Sequence, residues 1–256
     1  MYANYHTHTR RCGHAEGDDR AYVERAVAAG LKVLGFSDHT PYDFRGAAYH
    51  IHVRMEPEEL ADYVSSLERL RQEYAGRIEL HIGLEAEYYP KLFPALLDRL
   101  RDYPVEYLLL GQHFLGNETD EPYCGRETDS VRDLDRYVGQ CIEGMQTGAF
   151  CYLAHPDLIH FTGSEAEYLR QMRRLCRAAK DCGLPLELNL HGLREGRHYP
   201  DERFWRIAGE EGNPVLLGCD AHRPDELDDP DAEERLLALA RRCGLTVLEK
   251  LEIPQN

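Results

Sequence analysis

Three histidines in one short segment near the start of the chain, Asn4–His14, are the first residues whose types and spacing suggest chemistry. His6 and His8 are two residues apart, so on an extended backbone their imidazoles point to the same side. His14 follows a Cys-Gly turn that lets the chain fold back toward them. Converging imidazoles are typical of a metal site, but an isolated His-x-His pair is also common among ordinary core and surface histidines. The metal interpretation therefore requires further ligands elsewhere in the sequence.

Those further candidates stand where short apolar runs end. Seven runs have the length and composition of buried strands, and six of them end in histidine, aspartate or glutamate, while the sixth along the chain ends in Asn189 and His191. The runs are Tyr2–Tyr5, Lys32–Phe36, Ile78–Leu84, Tyr107–Leu110, Phe150–Leu153, Pro185–Leu188 and Val215–Gly218. The candidate ligands at their ends are His6, His8, Asp38, His39, Glu85, His113, His155, Asp220 and His222.

Helical patterns separate these runs. They span Asp18–Gly30, Pro57–Tyr74, Lys91–Arg101, Ser130–Thr147, Ser164–Gly183 and Asp201–Glu211, with a last helix that starts at Asp229. Ser164 and Glu167 predict a capping box at the start of one of them. A further apolar run, Leu245–Leu251, is interpreted as a peripheral strand. Alternation of strand and helix without repeats or a linker predicts one α/β domain, residues 1–256, with a parallel sheet.

A closed or nearly closed barrel explains the positions of the polar residues better than an open sheet. The active sites of such barrels are built from residues at the carboxyl ends of the strands. An open doubly wound sheet would separate the first and last candidate ligands by many strands, each about 4.8 Å wide. Closure brings these ends together, so we expect a barrel.

The overall charge argues against long nucleic acids as ligands. The chain has 30 basic and 46 acidic residues, a net charge of −16, and no dense cluster of lysine and arginine, so tight binding to duplex nucleic acid is not expected. No membrane partner is expected either, because the first residues lack the features of a signal peptide and no apolar run approaches the ~20 residues of a membrane span. These features predict a cytoplasmic protein.

The eight cysteines are scattered and include no Cys-x-x-Cys pair, so neither a zinc finger nor a disulfide framework is expected. Most are interpreted as small buried hydrophobic residues. Cys12 is close enough to the histidines to be considered as a ligand, but burial is the preferred interpretation.

In order along the chain, the candidate ligands resemble the motifs of the PHP (polymerase and histidinol phosphatase) family. The resemblance covers the whole chain and is closest to the histidinol-phosphate phosphatases, through the Cys-x-His ending at His14, the turn Asp38–Pro41, the Gly-Leu-Glu ending at Glu85 and the segment Asn189–Arg194. It implies a distorted seven-stranded (β/α)7 TIM-like barrel that holds three divalent metal ions. The loop Gly116–Thr128 departs from the commoner pattern, and this departure bears on which substrate is accepted.

The resemblance distributes nine ligands over three ions. One ion takes His6, His8, Glu85 and Asp220, and a second takes Glu85, His113 and His155, so that Glu85 bridges them. A third ion takes His14, His39 and His222. Imidazoles and carboxylates independently suit borderline divalent metals such as zinc, manganese or iron.

Two other interpretations of the histidines fit the sequence less well. An amidohydrolase barrel also begins with His-x-His, but it generally bridges its metals with a modified lysine, and no lysine stands at a strand end here. Ordinary core histidines would not be expected to fall, together with carboxylates, at successive strand ends.

Substrate binding and proton transfer are assigned from weaker patterns. Arg194 and Arg197 follow the sixth predicted strand, and we predict that they bind phosphate, because a strongly acidic protein needs local positive charge for this; the alternative is a solvated loop. Asp157 and His191 are candidates for protonating the leaving group. His160 and His191 are candidates for lining the pocket, whereas the surface is the expected place for His50, His52, His81 and His198.

The expected reaction is hydrolysis of a phosphate monoester by in-line attack of a metal-bridging hydroxide. The resemblance implies L-histidinol phosphate as the small phosphorylated substrate and L-histidinol as the product, a step of histidine biosynthesis. Two alternatives stay open: a phosphodiesterase or nucleotide phosphatase with the same cluster, and a non-catalytic PHP module stabilised by metal. The non-catalytic alternative expects missing ligands, and none of the nine is missing. The sequence contains no indication of oligomeric state.

Overall fold

The computed structural model describes residues 1–44, 53–117, 119 and 122–253. His50 and His52 lie outside the described residues, so the prediction that they are surface residues stays a prediction.

Eight parallel strands form one curled sheet, in which each strand pairs with the strand that follows it in sequence. The strands are β1 (Ala3–Asn4), β2 (Val33–Phe36), β3 (Glu79–Ala86), β4 (Tyr107–Leu110), β5 (Tyr152–Leu153), β6 (Leu186–Asn189), β7 (Pro214–Gly218) and β8 (Thr246–Val247). Because all strands run in the same direction, every carboxyl end lies at the same edge of the sheet.

The first and seventh strands meet at this edge. Thr7 and Ala221 form a parallel bridge, in which the amide of His8 donates to the carbonyl of Ala221 at 2.9 Å and the amide of Ala221 donates to the carbonyl of His6 at 3.2 Å. The sheet is therefore closed where the candidate ligands stand. This arrangement confirms the prediction of a distorted TIM-like barrel.

The eighth strand lies at the amino-terminal end of the barrel, opposite the carboxyl edge where the candidate ligands stand. β8 pairs with the beginning of β7 through Pro214 and Val215, and the backbone of Leu251 lies within hydrogen-bond distance of the Tyr5 hydroxyl. The predicted peripheral strand is thus present but much shorter than Leu245–Leu251. It covers the gap that β1 and β7 leave at the amino-terminal end, and it contributes no candidate ligand.

Helices connect the strands and cover the outside of the barrel. They are α1 (Asp19–Ala28), α2 (Leu60–Glu73), α3 (Phe93–Leu100), α4 (Val131–Gln146), α5 (Glu165–Asp181), α6 (Leu190–Arg194), α7 (Glu202–Glu211) and α8 (Pro230–Cys243). α1, α4 and α8 begin after Asp18, Ser130 and Asp229, whose side chains accept hydrogen bonds from the backbone of the first turn. The predicted capping box at Ser164 is wrong, because its side chain makes no capping hydrogen bond.

Helix α6 was not predicted from the sequence. The side chain of Asn189 accepts a hydrogen bond of 2.9 Å from the amide of Gly192 and so caps a short helix directly after β6. This helix determines where Arg194 points, with consequences for the site.

Two apolar clusters stabilise the barrel. The larger one packs the helices against the outer face of the sheet, and the smaller one fills the barrel interior below the carboxyl ends. Tyr107 lies at the centre of the smaller cluster, with its hydroxyl 2.7 Å from the carbonyl oxygen of Tyr5 and 3.0 Å from that of Phe36. A Cβ atom at Gly83 would overlap this ring, so glycine is required there for the interior to be filled. The floor under the candidate ligands is therefore well packed.

None of the helices in the described ranges combines the length and the apolar character that crossing a bilayer requires.

Candidate metal centre

The candidate ligands surround one cleft at the carboxyl edge of the barrel. The cleft has a volume of about 460 Å³. Eight of the nine predicted ligands line it, and His6 is completely buried beneath them. Glu85 lies inside β3, and the other eight residues lie in the segments that follow β1, β2, β4, β5 and β7. Several groups of these residues have ligand atoms within 4.8 Å of one another, so the described residues include clusters able to hold a metal ion.

The four residues predicted to share the first ion lie in direct contact. The Nε2 atoms of His6 and His8 are 3.2 Å apart, as expected for imidazoles two residues apart on an extended chain. Both atoms lie 3.5 Å from Oε2 of Glu85. Oδ1 of Asp220 is 3.0 Å from Nε2 of His8 and 3.5 Å from Nε2 of His6.

The other carboxylate oxygen of Glu85 faces the residues predicted for the second ion. Oε1 lies 3.0 Å from Nε2 of His155 and 3.5 Å from Nε2 of His113. One carboxylate thus presents a different oxygen to each set of ligands, which is the geometry that a bridging carboxylate needs. Glu85 is buried inside β3 and does not follow the strand, so its backbone is fixed on both sides by strand pairing.

The third predicted set is gathered on the outer side of the cleft. The ring of His14 lies 4.8 Å from that of His222 and 5.4 Å from that of His39, measured between centroids. Ligand atoms of His8, His39 and His222 also come within 4.8 Å of one another. The three sets are therefore parts of one continuous cluster, in which His8 and Glu85 contact more than one set.

Unpaired buried polar atoms support a cation in this cluster. Oε2 of Glu85 and Nδ1 of His39 are buried 3.2 Å apart, and neither has a hydrogen-bond partner among the described residues. Buried polar atoms without partners are costly unless they bind an ion or water. Imidazole nitrogens and carboxylate oxygens suit zinc, manganese or iron, so the donor set fits a divalent metal.

The pKa values reflect the mixture of imidazoles and carboxylates. Burial opposes ionisation of Glu85, but the neighbouring imidazoles, above all His113, outweigh it and hold its pKa well below the usual range. Burial likewise opposes protonation of His6, yet the nearby carboxylates, above all Glu187, raise its pKa well above that of an ordinary histidine. For His39 burial prevails and lowers the pKa. The cluster is thus arranged to hold positive charge at its centre.

We expect metal occupancy to fall on acidification, because protons compete with cations for imidazole nitrogen. The raised pKa values of His6 and His8 mean that these residues bind protons at a higher pH than ordinary histidines do. Metal binding must displace those protons, so affinity rises with pH and bound metal should decrease below about pH 6. Metal content after equilibration at a series of pH values tests this. Unchanged occupancy down to about pH 4.5 would contradict imidazole ligation.

Two of the candidate ligands have unusual backbone conformations. His155 has a φ of 28° and Asp220 a φ of 48°, both in the left-handed region that residues other than glycine rarely adopt. Such strain persists only where the surroundings enforce it, and it clusters at functional sites. Both residues directly follow strands, where the chain must turn to aim a side chain into the cleft.

Two carboxylates outside the nine predicted ligands contact the second ring nitrogens of two of the imidazoles. Glu87 lies 2.9 Å from Nδ1 of His113, and Asp38 lies 3.4 Å from Nδ1 of His8. Metal-binding histidines commonly use their second nitrogen in this way, which fixes the tautomer and the ring orientation. The sequence feature that could have identified Glu87 is its position directly after β3, two residues after Glu85. The sequence identified Asp38 as a strand-end residue, but it did not indicate that Asp38 contacts His8.

The two predicted phosphate-binding arginines lie in different places. Arg197 lines the cleft, with one guanidinium nitrogen 3.5 Å from the Tyr123 hydroxyl. Arg194 does not line it. Helix α6 turns its guanidinium toward β7, where it donates to the carbonyl of Cys219 at 2.6 Å and to that of Glu226 at 3.2 Å. The phosphate-binding prediction for Arg194 is therefore replaced by a structural role next to Asp220.

Arg223 is a further cationic residue at the cleft that sequence reasoning missed. It lines the cleft and is half exposed, with a guanidinium nitrogen 2.8 Å from a carboxylate oxygen of Glu226. The sequence feature that could have identified Arg223 is its position directly after the Asp220-x-His222 motif.

The two proton-donor candidates also differ. His191 lines the cleft with its ring 5.0 Å from that of His222, and its buried Nδ1 has no hydrogen-bond partner among the described residues. Asp157 does not line the cleft. Its carboxylate accepts hydrogen bonds from the amide of Asp201 at 2.6 Å and from the indole of Trp205 at 2.9 Å. Burial raises the pKa of Asp157 to about 7, and its hydrogen bonds connect it to the start of α7, outside the cleft lining.

The remaining candidates occupy the periphery. His160 stacks on His198 with a centroid distance of 4.1 Å and does not line the cleft. His81 lies at the opposite end of β3 beside Glu79. Cys12 is buried and donates to the carbonyl of Thr9, which agrees with the preferred interpretation. From the loop Gly116–Thr128, whose residues 118, 120 and 121 lie outside the described ranges, Tyr123 reaches the cleft.

Known proteins share this sequence pattern and fold. Residues 4–191 match the PHP domain family. The chain is 32% identical over 229 residues to the probable histidinol-phosphatase of Deinococcus radiodurans. The aligned region covers 87% of this chain and 86% of that protein. The chain is 25% identical over 254 residues to the histidinol-phosphatase of Bacillus subtilis, covering 87% of this chain and 94% of that protein.

The fold is also similar to a solved structure. The histidinol phosphate phosphatase of Lactococcus lactis, in a crystal structure complexed with zinc, L-histidinol and phosphate, is 18% identical and has a TM-score of 0.76, covering 98% of both chains. At this level of identity the likeness supports the barrel fold.

Proposed function

Because this chain belongs to the PHP domain family, we propose that it is a metal-dependent phosphatase that hydrolyses L-histidinol phosphate to L-histidinol and phosphate. Relatives named histidinol-phosphatase match along most of their length, which supports the substrate. The single observation that carries the catalytic proposal is the arrangement around Glu85, whose two carboxylate oxygens face separate groups of imidazoles.

We propose three ion positions with the ligand sets predicted from the sequence. The contacts of Glu85 support the first two positions, and the converging rings of His14, His39 and His222 support the third. Bound divalent cations would supply Lewis acidity and an activated water for attack on phosphorus. The ligands from the strand ends would hold these cations, and the cleft above them would admit water and substrate.

The rest of the cleft is suited to orient a phosphate ester. Arg197 and Arg223 bring positive charge to the rim of an otherwise acidic protein, where charge grows on the phosphoryl oxygens in the transition state. Phe114, Tyr123 and Tyr199 give one side of the cleft an aromatic lining that suits a flat ring such as imidazole. His191 is placed beside the third set of ligands, where it would give a proton to the leaving alkoxide.

Replacing Arg197 tests phosphate recognition separately from metal binding. A guanidinium cannot be a metal ligand, so Arg197→Ala should retain its full metal content. Loss of a charge-assisted contact to phosphate typically costs about 1.5 to 3 kcal/mol, so kcat/KM should fall roughly 10- to 150-fold. The control is Arg241→Ala, an exposed arginine that pairs with Glu234 on α8.

Arg194→Ala provides a contrast with Arg197→Ala. Removing the Arg194 side chain leaves the buried carbonyl of Cys219 without its hydrogen-bond donor, so the free energy of unfolding should decrease by about 1 to 3 kcal/mol. Unchanged kcat/KM for Arg197→Ala, alone and combined with Arg194→Ala, would mean that the arginines of this loop do not hold the phosphate.

Phosphate release from a substrate panel tests the proposed substrate. The panel contains L-histidinol phosphate, nucleoside monophosphates and a simple aryl phosphate, for which phosphate is measured. It also contains an aryl phosphodiester, for which the released aryl alcohol is measured, because hydrolysis of a diester leaves a monoester and frees no phosphate. We expect L-histidinol phosphate to have the highest kcat/KM. Preference for the nucleotides or the diester would favour the alternative activities, and no turnover of any compound by metal-loaded protein would favour the non-catalytic module. A cytoplasmic location and the absence of duplex nucleic acid as a partner stay predictions from the sequence.

A further inference from the structure

Strand β6 differs from the other strands that border the cleft, because it contributes none of the nine proposed ligands. It nevertheless carries two buried polar side chains, Glu187 and Asn189, in a barrel interior that is otherwise largely apolar at that depth. Glu187 is completely buried, and an ionised carboxylate is costly to bury unless other groups compensate it. The partners of these two side chains therefore need an explanation.

The carboxylate of Glu187 connects two proposed ligands from different strands. Its Oε1 lies 2.7 Å from Nδ1 of His6, which orients the imidazole so that Nε2 faces Glu85 and Asp220. Its Oε2 accepts a hydrogen bond of 3.0 Å from the amide of His155. That amide belongs to the residue with a φ of 28°, so Glu187 stabilises the strained backbone that aims His155 into the cleft.

Asn189 extends the same network to a third ligand. Its side-chain amide nitrogen lies 3.0 Å from Oε2 of Glu187 and 3.1 Å from Oδ2 of Asp220. Its amide oxygen is used to cap α6. Oδ1 of Asp220, the other carboxylate oxygen, faces His6 and His8. The two β6 side chains thus hold ligands that come from β1, β5 and β7.

A glycine on the neighbouring strand leaves space for this carboxylate. A Cβ atom at position 218 would lie 2.8 Å from Cγ of Glu187 and would overlap its Oε1. Gly218 has no φ in the left-handed region, so the need for glycine is steric. Any larger residue there would displace the carboxylate from His6.

We propose that Glu187 is the main positioning residue of the metal centre, assisted by Asn189, and that β6 serves to fix the ligands of both ions that Glu85 bridges. This inference rests on the proposed metal-binding function but not on the identity of the substrate. The two carboxylate oxygens of Glu187 contact His6, the amide of His155 and Asn189, so Glu187 acts through His6 and the backbone of His155. Supporting partners of metal ligands typically contribute about 10- to 100-fold to metal affinity.

Glu187→Gln tests the proposal with little change in size. An amide has one acceptor and one donor end, so it cannot accept hydrogen bonds from His6, the amide of His155 and Asn189 together. Zinc affinity, measured by competition with a chromogenic chelator in the absence of substrate, should weaken about 10- to 100-fold. The visible spectrum of the cobalt-substituted protein should also change, because the orientation of a ligand has changed. Gly218→Ala should produce both effects by displacing the same carboxylate.

Glu106→Gln is the matched control. Glu106 is a half-buried carboxylate that accepts a backbone hydrogen bond from Ile82 at 2.7 Å, but it lies at the opposite end of the barrel. Its replacement should leave zinc affinity and the cobalt spectrum unchanged. Near-ultraviolet circular dichroism identifies the variants that fold, and Glu187→Asp, which retains the charge but shortens the side chain, replaces any that does not.

The proposal is overturned if a folded Glu187 or Gly218 variant has the zinc affinity and cobalt spectrum of the parent protein. A parent protein that binds none of zinc, manganese and iron would instead refute the proposed function. The two failures are therefore distinguishable.

Discussion

Glu85→Gln is expected to reduce phosphatase activity by at least about 1,000-fold, because a neutral amide cannot bridge two cations and several kcal/mol of transition-state stabilisation depend on them. Both carboxylate oxygens of Glu85 contact imidazoles, so the substitution should lower the metal content as well as the rate. Steady-state kinetics and metal analysis of the same preparation measure the two effects. The overall fold should persist, since the β3 backbone keeps its pairing with β2 and β4.

Glu87→Gln serves as a comparison for this variant. Glu87 is equally buried and only two residues away, but it contacts the second nitrogen of His113 and is not one of the nine predicted ligands. We expect a smaller loss for it. Full metal occupancy and normal turnover in Glu85→Gln would remove Glu85 from the centre of the site.

The second large effect is expected from a residue that has no functional group. A Cβ atom at Gly111 would lie 2.7 Å from Cδ of Glu85 and would overlap Oε1, the oxygen that faces His113 and His155. Gly111→Ala should therefore displace the carboxylate without removing any ligand. A misplacement of about 1 Å in such a site can cost about 100-fold, so kcat should fall by at least that factor.

Gly139→Ala is the control for this substitution. Gly139 lies in α4, where the nearest atom to a new Cβ is a guanidinium nitrogen of Arg174 at 3.9 Å. Alanine there should leave kcat unchanged and raise the stability of the helix by about 1 kcal/mol. If Gly111→Ala has parental kcat and metal content, the position of the Glu85 carboxylate is less constrained than the structure indicates.

The strand ends were predictable from the sequence because two independent signals coincide there. A short apolar run predicts a buried strand, and a histidine or carboxylate at its end predicts a site, so His6, Glu85 and Asp220 were all identified. The barrel followed from the need to bring the first and last of these residues together. The bridge between Thr7 and Ala221 closes the barrel at this point.

Residues whose roles depend on side-chain direction were not predictable. Arg194 and Arg197 are three residues apart in one loop sequence, and only the short helix α6 decides that Arg194 points to β7 while Arg197 faces the cleft. Asp157 lies two residues after the predicted ligand His155, yet its carboxylate contacts Trp205. Sequence spacing carries no information on such rotations.

Glu187 illustrates a different limit. It lies inside the apolar run Leu186–Leu188, where a charged residue is an exception to the strand pattern and not a strand-end signal. That exception was visible, but its meaning depended on residues from two other strands: His6 follows β1, which does not pair with β6, and His155 follows the neighbouring β5. The sequence alone does not show which strands the barrel brings around a buried charge.

The proposed hydrolysis of L-histidinol phosphate requires metal ions held by this cluster. The most direct test is a titration of the metal-free protein with zinc or manganese, in which phosphate release from L-histidinol phosphate is measured at each addition. No detectable turnover is expected without metal, and the rate should rise with bound metal until more than one ion is present per chain. Turnover that is equally fast in the metal-free protein, or metal-loaded protein that leaves L-histidinol phosphate intact, would contradict this proposal.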